Sequence, residues 1–145
     1  GASPGDFERS ITKMENEKNA SVLDLLLRAD LPDVRKALPE KRMEVKRLSE
    51  LAGEPVVFTL RALSYKEIRD IQDKRREDQA VSAVLYACKD PDWRDQRLLS
   101  AVSGAVTPLD VIQARLSPGE IDELYVEIQK LSGYINRTLR EVKNA

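Results

Sequence analysis

The chain has 145 residues, enough for one domain with a real core, and carries 24 basic against 25 acidic side chains, a formal net charge of -1. Histidine is absent and cysteine occurs once, at Cys88, so the commonest general base and metal ligand are missing and neither an internal disulfide nor a multi-cysteine zinc site can be built. Balanced charge argues against non-specific nucleic-acid binding, which needs a basic excess, and no apolar run reaches the roughly 20 residues of a membrane-spanning helix.

With no secretory pattern visible, the chain reads as soluble and intracellular. Gly1 to Pro4 lack an initiator Met and read as a processed or appended end, and residues 1–19, polar and aperiodic, are expected to be flexible. Ser21 is placed to cap a short amphipathic helix built on Val22-Leu23-Asp24-Leu25-Leu26-Leu27, which must end before Pro32 because the residue preceding a proline is driven out of the helical region. A second turn or short helix, Asp33 to Leu38, is closed by Pro39.

The next stretch changes period. Met43 to Leu48 and Val56 to Ala62 flank a Gly/Pro-containing linker, Ser49 to Pro55, and predict one antiparallel β-hairpin over about residues 43–62. Alternation places Val56, Phe58, Leu60 and Ala62 on one face and Val57, Thr59 and Arg61 on the other. A lone hairpin is marginal, so its apolar face must lie on helices or on another strand.

The second half is punctuated by one repeated device. In Leu63-Ser64-Tyr65-Lys66-Glu67-Ile68, Val106-Thr107-Pro108-Leu109-Asp110-Val111 and Leu116-Ser117-Pro118-Gly119-Glu120-Ile121, a Ser or Thr precedes an acid by three residues and is framed by apolar residues. Each predicts a helix start: the hydroxyl caps a free N–H, the acid reaches back, and the apolar pair staples the turn. Pro108 and Pro118 fall at the first helical position, where no N–H is missed. After Ser64, Ile68 and Ile71 begin an apolar stripe that resumes at Val81, Val84, Leu85 and Cys88. The eight polar residues Gln72 to Gln79 between them predict a break near Glu77 and Asp78. Cys88 reads as a small buried hydrophobe on a helix face, since no imidazole exists to activate it. Asp90-Pro91 is expected to start a helix carrying Trp93, Leu98, Leu99 and Val102 and stopping near Gly104, with Trp93 a core anchor. Ile121, Leu124, Tyr125, Ile128 and Leu131 follow the spacing of a buried helical stripe. Gly133 is placed to stop that helix, although Ile135, Leu139 and Val142 would continue its face, with Arg137, Arg140 and Lys143 suiting its C-terminal dipole. The fold class is therefore α+β, mostly short helices around one hairpin.

The stretch from Val45 to Leu63, followed by Lys66-Glu67-Ile68 and by Lys89-Asp90-Pro91-Asp92-Trp93, resembles the XkdN-like phage tail assembly chaperones. So do Leu116-Ser117-Pro118-Gly119-Glu120-Ile121 and Leu131-Ser132-Gly133-Tyr134, which look like that family's closing signature. The similarity runs in the same order over roughly residues 20–134, and the charged stretch Lys74 to Asp78 departs from it. The resemblance implies a single small α+β domain over residues 20–145 from the tail module of a long-tailed bacteriophage or a defective prophage. It would bind the tape measure protein, keep it soluble and bring tail tube protein onto it. It would act in the bacterial host cytoplasm and be missing from the mature virion. The family offers no catalytic residues or cofactor.

Many weak contacts suit such a role better than one deep pocket, and self-association along a long client would add effective concentration. The expected client-contact residues are Leu23, Leu26 and Leu27, followed by Ile135 and Leu139. No catalytic or metal site, cofactor, nucleic acid or membrane partner is expected; Gly53 and Gly119 are too isolated for a phosphate cradle. The main alternative is a structural completion or adaptor protein that stays in the virion. A DNA-binding regulator ranks lower, because the helix from Ser117 to Leu131 is acid-rich, and an enzyme ranks last.

Overall fold

A computed structural model describes residues 21–143 and places them in two compact units, the first ending at Lys36 and the second beginning at Ala37. The expected flexibility of residues 1–19 lies outside the described residues. In the first unit the Ser21 hydroxyl accepts the Asp24 N–H at 3.1 Å and starts helix α1 (Val22–Leu26). A five-residue helix has too few residues to bury a face of its own, and none of its side chains is buried. Beyond it the Asp33 carboxylate accepts the Arg35 N–H at 2.9 Å, a side-chain-stabilised turn at the place where a turn or helix was expected.

The second unit runs β1 (Glu40–Glu44), α2 (Lys46–Ala52), β2 (Val57–Arg61), α3 (Tyr65–Gln72), α4 (Arg76–Ala87), β3 (Cys88–Asp90), α5 (Gln96–Ala101), α6 (Pro108–Arg115) and α7 (Pro118–Leu131). The class is α+β, with a three-stranded antiparallel sheet in the order β1-β2-β3. Met43 stands opposite Phe58 and Lys41 opposite Leu60. The alternation in the central strand holds: Phe58, Leu60 and Ala62 are buried and Val57, Thr59 and Arg61 only partly so.

The hairpin differs from expectation in two ways. Its first strand begins earlier, at Glu40, and the residues read as its end and linker, Lys46 to Ala52, are helical. Arg47-Leu48-Ser49-Glu50-Leu51-Ala52 is rich in good helix formers, and Gly53, at φ 74°, ends the turn in the left-handed region. The Ser49 hydroxyl then accepts the Val56 N–H at 2.8 Å, and Val45 donates to the Val56 carbonyl at 3.0 Å, which folds the helix into the hairpin connection. Second, the sheet has a third strand. Cys88 is not on a helix face; it opens β3 and pairs with Leu60. Three residues leave no alternation to read, and only the exposed edge of β2 makes them a strand.

All three repeated starts form reciprocal capping boxes. The Ser64 and Ser117 hydroxyls accept the Glu67 and Glu120 N–H groups at 3.3 and 3.2 Å. The Asp110 carboxylate accepts the Val106 and Thr107 N–H groups at 2.8 and 3.0 Å. The break in the polar stretch exists but sits at Asp73–Arg75, slightly before the expected point. Helix α5 does not start at Asp90-Pro91: Asp95 caps it, so Trp93 and Val102 lie outside it. Trp93 is nonetheless a core residue, 4% exposed, with its ring edge-on to Phe58 at 5.7 Å. The core joins Phe58 and Leu60 to Val81 and Val84 of α4, Val111 and Ile112 of α6 and Ile121, Leu124 and Ile128 of α7.

Helix α7 stops at Leu131 rather than continuing through Ile135. Gly133, at φ 92°, donates to the Lys130 carbonyl at 3.1 Å and Tyr134 to the Gln129 carbonyl at 2.8 Å, the paired bonds of a Schellman end. Arg137, Arg140 and Lys143 therefore do not serve the helix dipole; Lys130 occupies the last turn. Ser132 at this end accepts the Leu63 N–H at 2.9 Å and donates to the Ile128 carbonyl at 2.8 Å, tying α7 to the link between β2 and α3. Ser132→Ala leaves the Leu63 N–H unsatisfied and is expected to cost about 1–2 kcal/mol. That is read as a lower urea midpoint at unchanged slope; an unchanged midpoint would show that the tie contributes nothing.

Candidate interaction surfaces

The five side chains expected to contact a client are all exposed: Leu23 65%, Leu26 68%, Leu27 71%, Ile135 62% and Leu139 90%. The three leucines are gathered on α1 and its C-cap, with Val22 and Leu25 exposed beside them. Ile135 and Leu139 belong to the other unit, in an irregular stretch after α7, so the structure does not unite the two sets on one helix face.

A surface that sequence reasoning missed runs along α7. Glu120, Glu123, Leu124 and Glu127 recur at intervals of three and four, so they share one face of the helix. The end of β1 and the start of α2 face it across a groove of about 310 Å³, lined also by Met43, Glu44 and Val45. Val45 and Leu124 are buried at its floor and Met43 partly so. Two ion pairs bracket the groove. Arg47 reaches both oxygens of Glu120, at 2.9 Å and 3.1 Å, and donates to the Arg115 carbonyl at 2.7 Å. Lys41 donates to Glu127 at 2.6 Å. The Arg47 guanidinium holds the Glu120 carboxyl below the usual carboxylate range, and Lys41 does the same for Glu127. Both stay ionised at neutral pH. No sequence signal could have found these pairs, because their members lie 73 and 86 positions apart.

A third pair is more enclosed. Arg61 of β2 donates to both oxygens of Glu67 at 2.8 and 2.7 Å, while Glu67 also accepts the Ser64 N–H at 3.0 Å. The capping acid of α3 thus also anchors the central strand, and the Arg61 guanidinium depresses its pKa. A folded pKa below the unfolded one gives stability that is present above the ordinary glutamate value, about 4.3, and is lost as pH falls through the lower folded value. Glu67→Gln is therefore expected to flatten the dependence of the urea midpoint on pH below about pH 4.5. An acid limb identical to that of the unsubstituted chain would count against this pair as a source of it.

Burial pushes the Cys88 thiol up to about 11, with Trp93 acting in the opposite direction, so the thiolate is scarce at neutral pH. Among the described residues, no group of three or more Cys, Asp or Glu side chains is placed to hold a metal ion, and no helix is long and apolar enough to cross a membrane.

Comparison with known proteins supplies a family and a fold. The family described as phage XkdN-like tail assembly chaperone protein, TAC, matches residues 23–145. The crystal structure of the protein YqbN shares the fold: 17% identity, TM-score 0.56, over 79% of this chain and 98% of that one. No curated protein matches.

Proposed function

The chain belongs to the XkdN-like phage tail assembly chaperone family, and from that premise we propose that it acts without covalent chemistry, by lending exposed apolar surface to the tape measure protein during tail assembly. The supporting observation is the state of α1. Leu23, Leu26 and Leu27 stand 65–71% exposed on a short helix with no buried side chain of its own, an arrangement suited to covering a client's apolar stripe by helix-to-helix contact. Ile135 and Leu139 form a second, smaller apolar site for the same client. The balanced surface charge keeps the loaded protein soluble, and tail tube subunits displace it by competition as they polymerise on the tape measure. On this reading it works in the bacterial host cytoplasm, contacts neither membrane nor nucleic acid, and leaves before the particle is complete.

Co-expression tests the proposal. The tape measure protein is expected in the soluble fraction with this chain and in the pellet without it, and equal partitioning in both cases would remove the support. Mass spectrometry of purified particles separates the chaperone from a retained completion or adaptor protein, because only the latter is present at stoichiometric copy number.

A further inference from the structure

The third strand covers only part of β2. Cys88 and Asp90 stand opposite Leu60 and Thr59, and β3 ends at Asp90. Which backbone groups of β2 face the uncovered part follows from its pairing with β1. Val45 donates to the Val56 carbonyl and Ala62 to the Pro39 carbonyl. In an antiparallel pair every second residue bonds to the same neighbour, so Phe58 and Leu60 direct their backbone groups to β1 as well. Val57 and Thr59 therefore direct theirs to the other side. Thr59 meets Asp90 there, while Val57 meets no strand among the described residues. Unused N–H and C=O groups at a sheet edge are a template for one more strand.

A cavity lies beside this gap. It holds about 380 Å³, within the range of ligand-binding pockets, and Leu48, Phe58, Trp93 and Leu98 wall it beside Val57. Phe58 and Trp93 are buried and the two leucines partly so. Two charges of opposite sign, Asp90 and Arg115, also line it, and both residues are exposed. Among the described residues neither side chain takes part in an ion pair. An apolar pocket, an open stretch of sheet edge and two unmatched charges thus meet in one place.

We propose that this place receives an extended segment of a different protein, which adds a short strand beside Val57 and buries one large apolar side chain among Leu48, Phe58, Trp93 and Leu98. The segment carries a base and an acid flanking that anchor, matching Asp90 and Arg115. Backbone pairing supplies affinity whatever the sequence, and the pocket with its two charges supplies selectivity. A helical occupant fits poorly, because its own N–H and C=O groups are bonded internally and leave those of Val57 unmet. One anchor and a single paired residue make a small contact, so a dissociation constant of about 10 μM to 1 mM follows. No residue of the first unit takes part, and the inference does not rest on the contact proposed for α1.

Titration of the isotope-labelled full chain with terminally blocked pentapeptides, followed by amide and indole resonances, tests it. The probes are Lys-Thr-Phe-Thr-Glu and Glu-Thr-Phe-Thr-Lys, which carry the charges in the two possible orders. One of them is expected to bind with a dissociation constant below about 1 mM and to move the Val57 amide and Trp93 indole signals. Alanine in place of the central phenylalanine, or N-methylation of the two threonines, should each weaken it at least about 10-fold. Asp90→Lys combined with Arg115→Glu, both at exposed positions, should leave melting unchanged and exchange the preference between the two probes. Absence of binding by either probe up to about 5 mM overturns the inference. Equal binding of the N-methylated peptide overturns the added strand, and a preference that the double substitution does not exchange overturns the role of the two charges. Blocked phenylalanine amide binding as tightly as the pentapeptide would make the site a small-molecule pocket. A Val57 signal that moves with protein concentration alone would give the site to a second copy. Either result likewise overturns the proposal.

Discussion

Replacing Trp93 with alanine is expected to lower the stability of the second unit by about 3–5 kcal/mol, a large share of the 5–15 kcal/mol that separates a typical domain from its unfolded state. Trp93 is 4% exposed and lies outside any helix, on the link between β3 and α5. Its ring meets Phe58 edge-on at 83°, so removal empties the space between the central strand and that link and leaves β3 with little to hold it against β2. Urea titration followed by far-UV circular dichroism reads the loss as a lower midpoint. Trp93→Phe, which keeps a ring against Phe58, is expected to cost clearly less. A loss below about 1 kcal/mol for the alanine variant would mean that the link is not part of the core.

The largest functional effect is expected from Leu23→Asp, Leu26→Asp and Leu27→Asp together. Each leucine that becomes buried on a client contributes roughly 1.5–3 kcal/mol of apolar transfer, and three carboxylates against an apolar helix add a desolvation cost. Affinity for the tape measure protein should fall at least about 100-fold, and the client should return to the pellet on co-expression. Because all three side chains are exposed, the variant itself should melt with the unsubstituted chain. Retained client solubility would sink the assignment of α1 as the gripping element, while the co-expression result for the unsubstituted chain would still stand.

The two expectations differ in how far they could be seen in the residues alone. Trp93 was legible as a core anchor from its chemistry, yet its neighbours were not: the helix assigned to it starts three residues later, at Gln96. The leucines of α1 were legible as an apolar cluster, whereas their exposure is a property of the fold. The groove along α7 was invisible. Ile121, Leu124 and Ile128 announced the buried face of that helix, but the neighbouring face with Glu123 and Glu127 acquires meaning only because β1 and α2 lie beside it.

Sequence by itself determined the elements whose signal is local. The capping boxes at Ser64, Thr107 and Ser117, the alternation of Phe58, Leu60 and Ala62, and the stop at Gly133 depend on hydroxyls, carboxylates, side-chain period and left-handed backbone within a few residues, and these forces act wherever the segment sits. Tertiary structure alone decided the third strand at Cys88, the true start of β1 at Glu40 and the pairs Arg47–Glu120, Lys41–Glu127 and Arg61–Glu67. A strand such as Glu40-Lys41-Arg42-Met43-Glu44 has almost no propensity of its own. It exists because β2 offers it a row of backbone partners, and hydrogen bonds between distant segments leave no mark on the order of residues within either one.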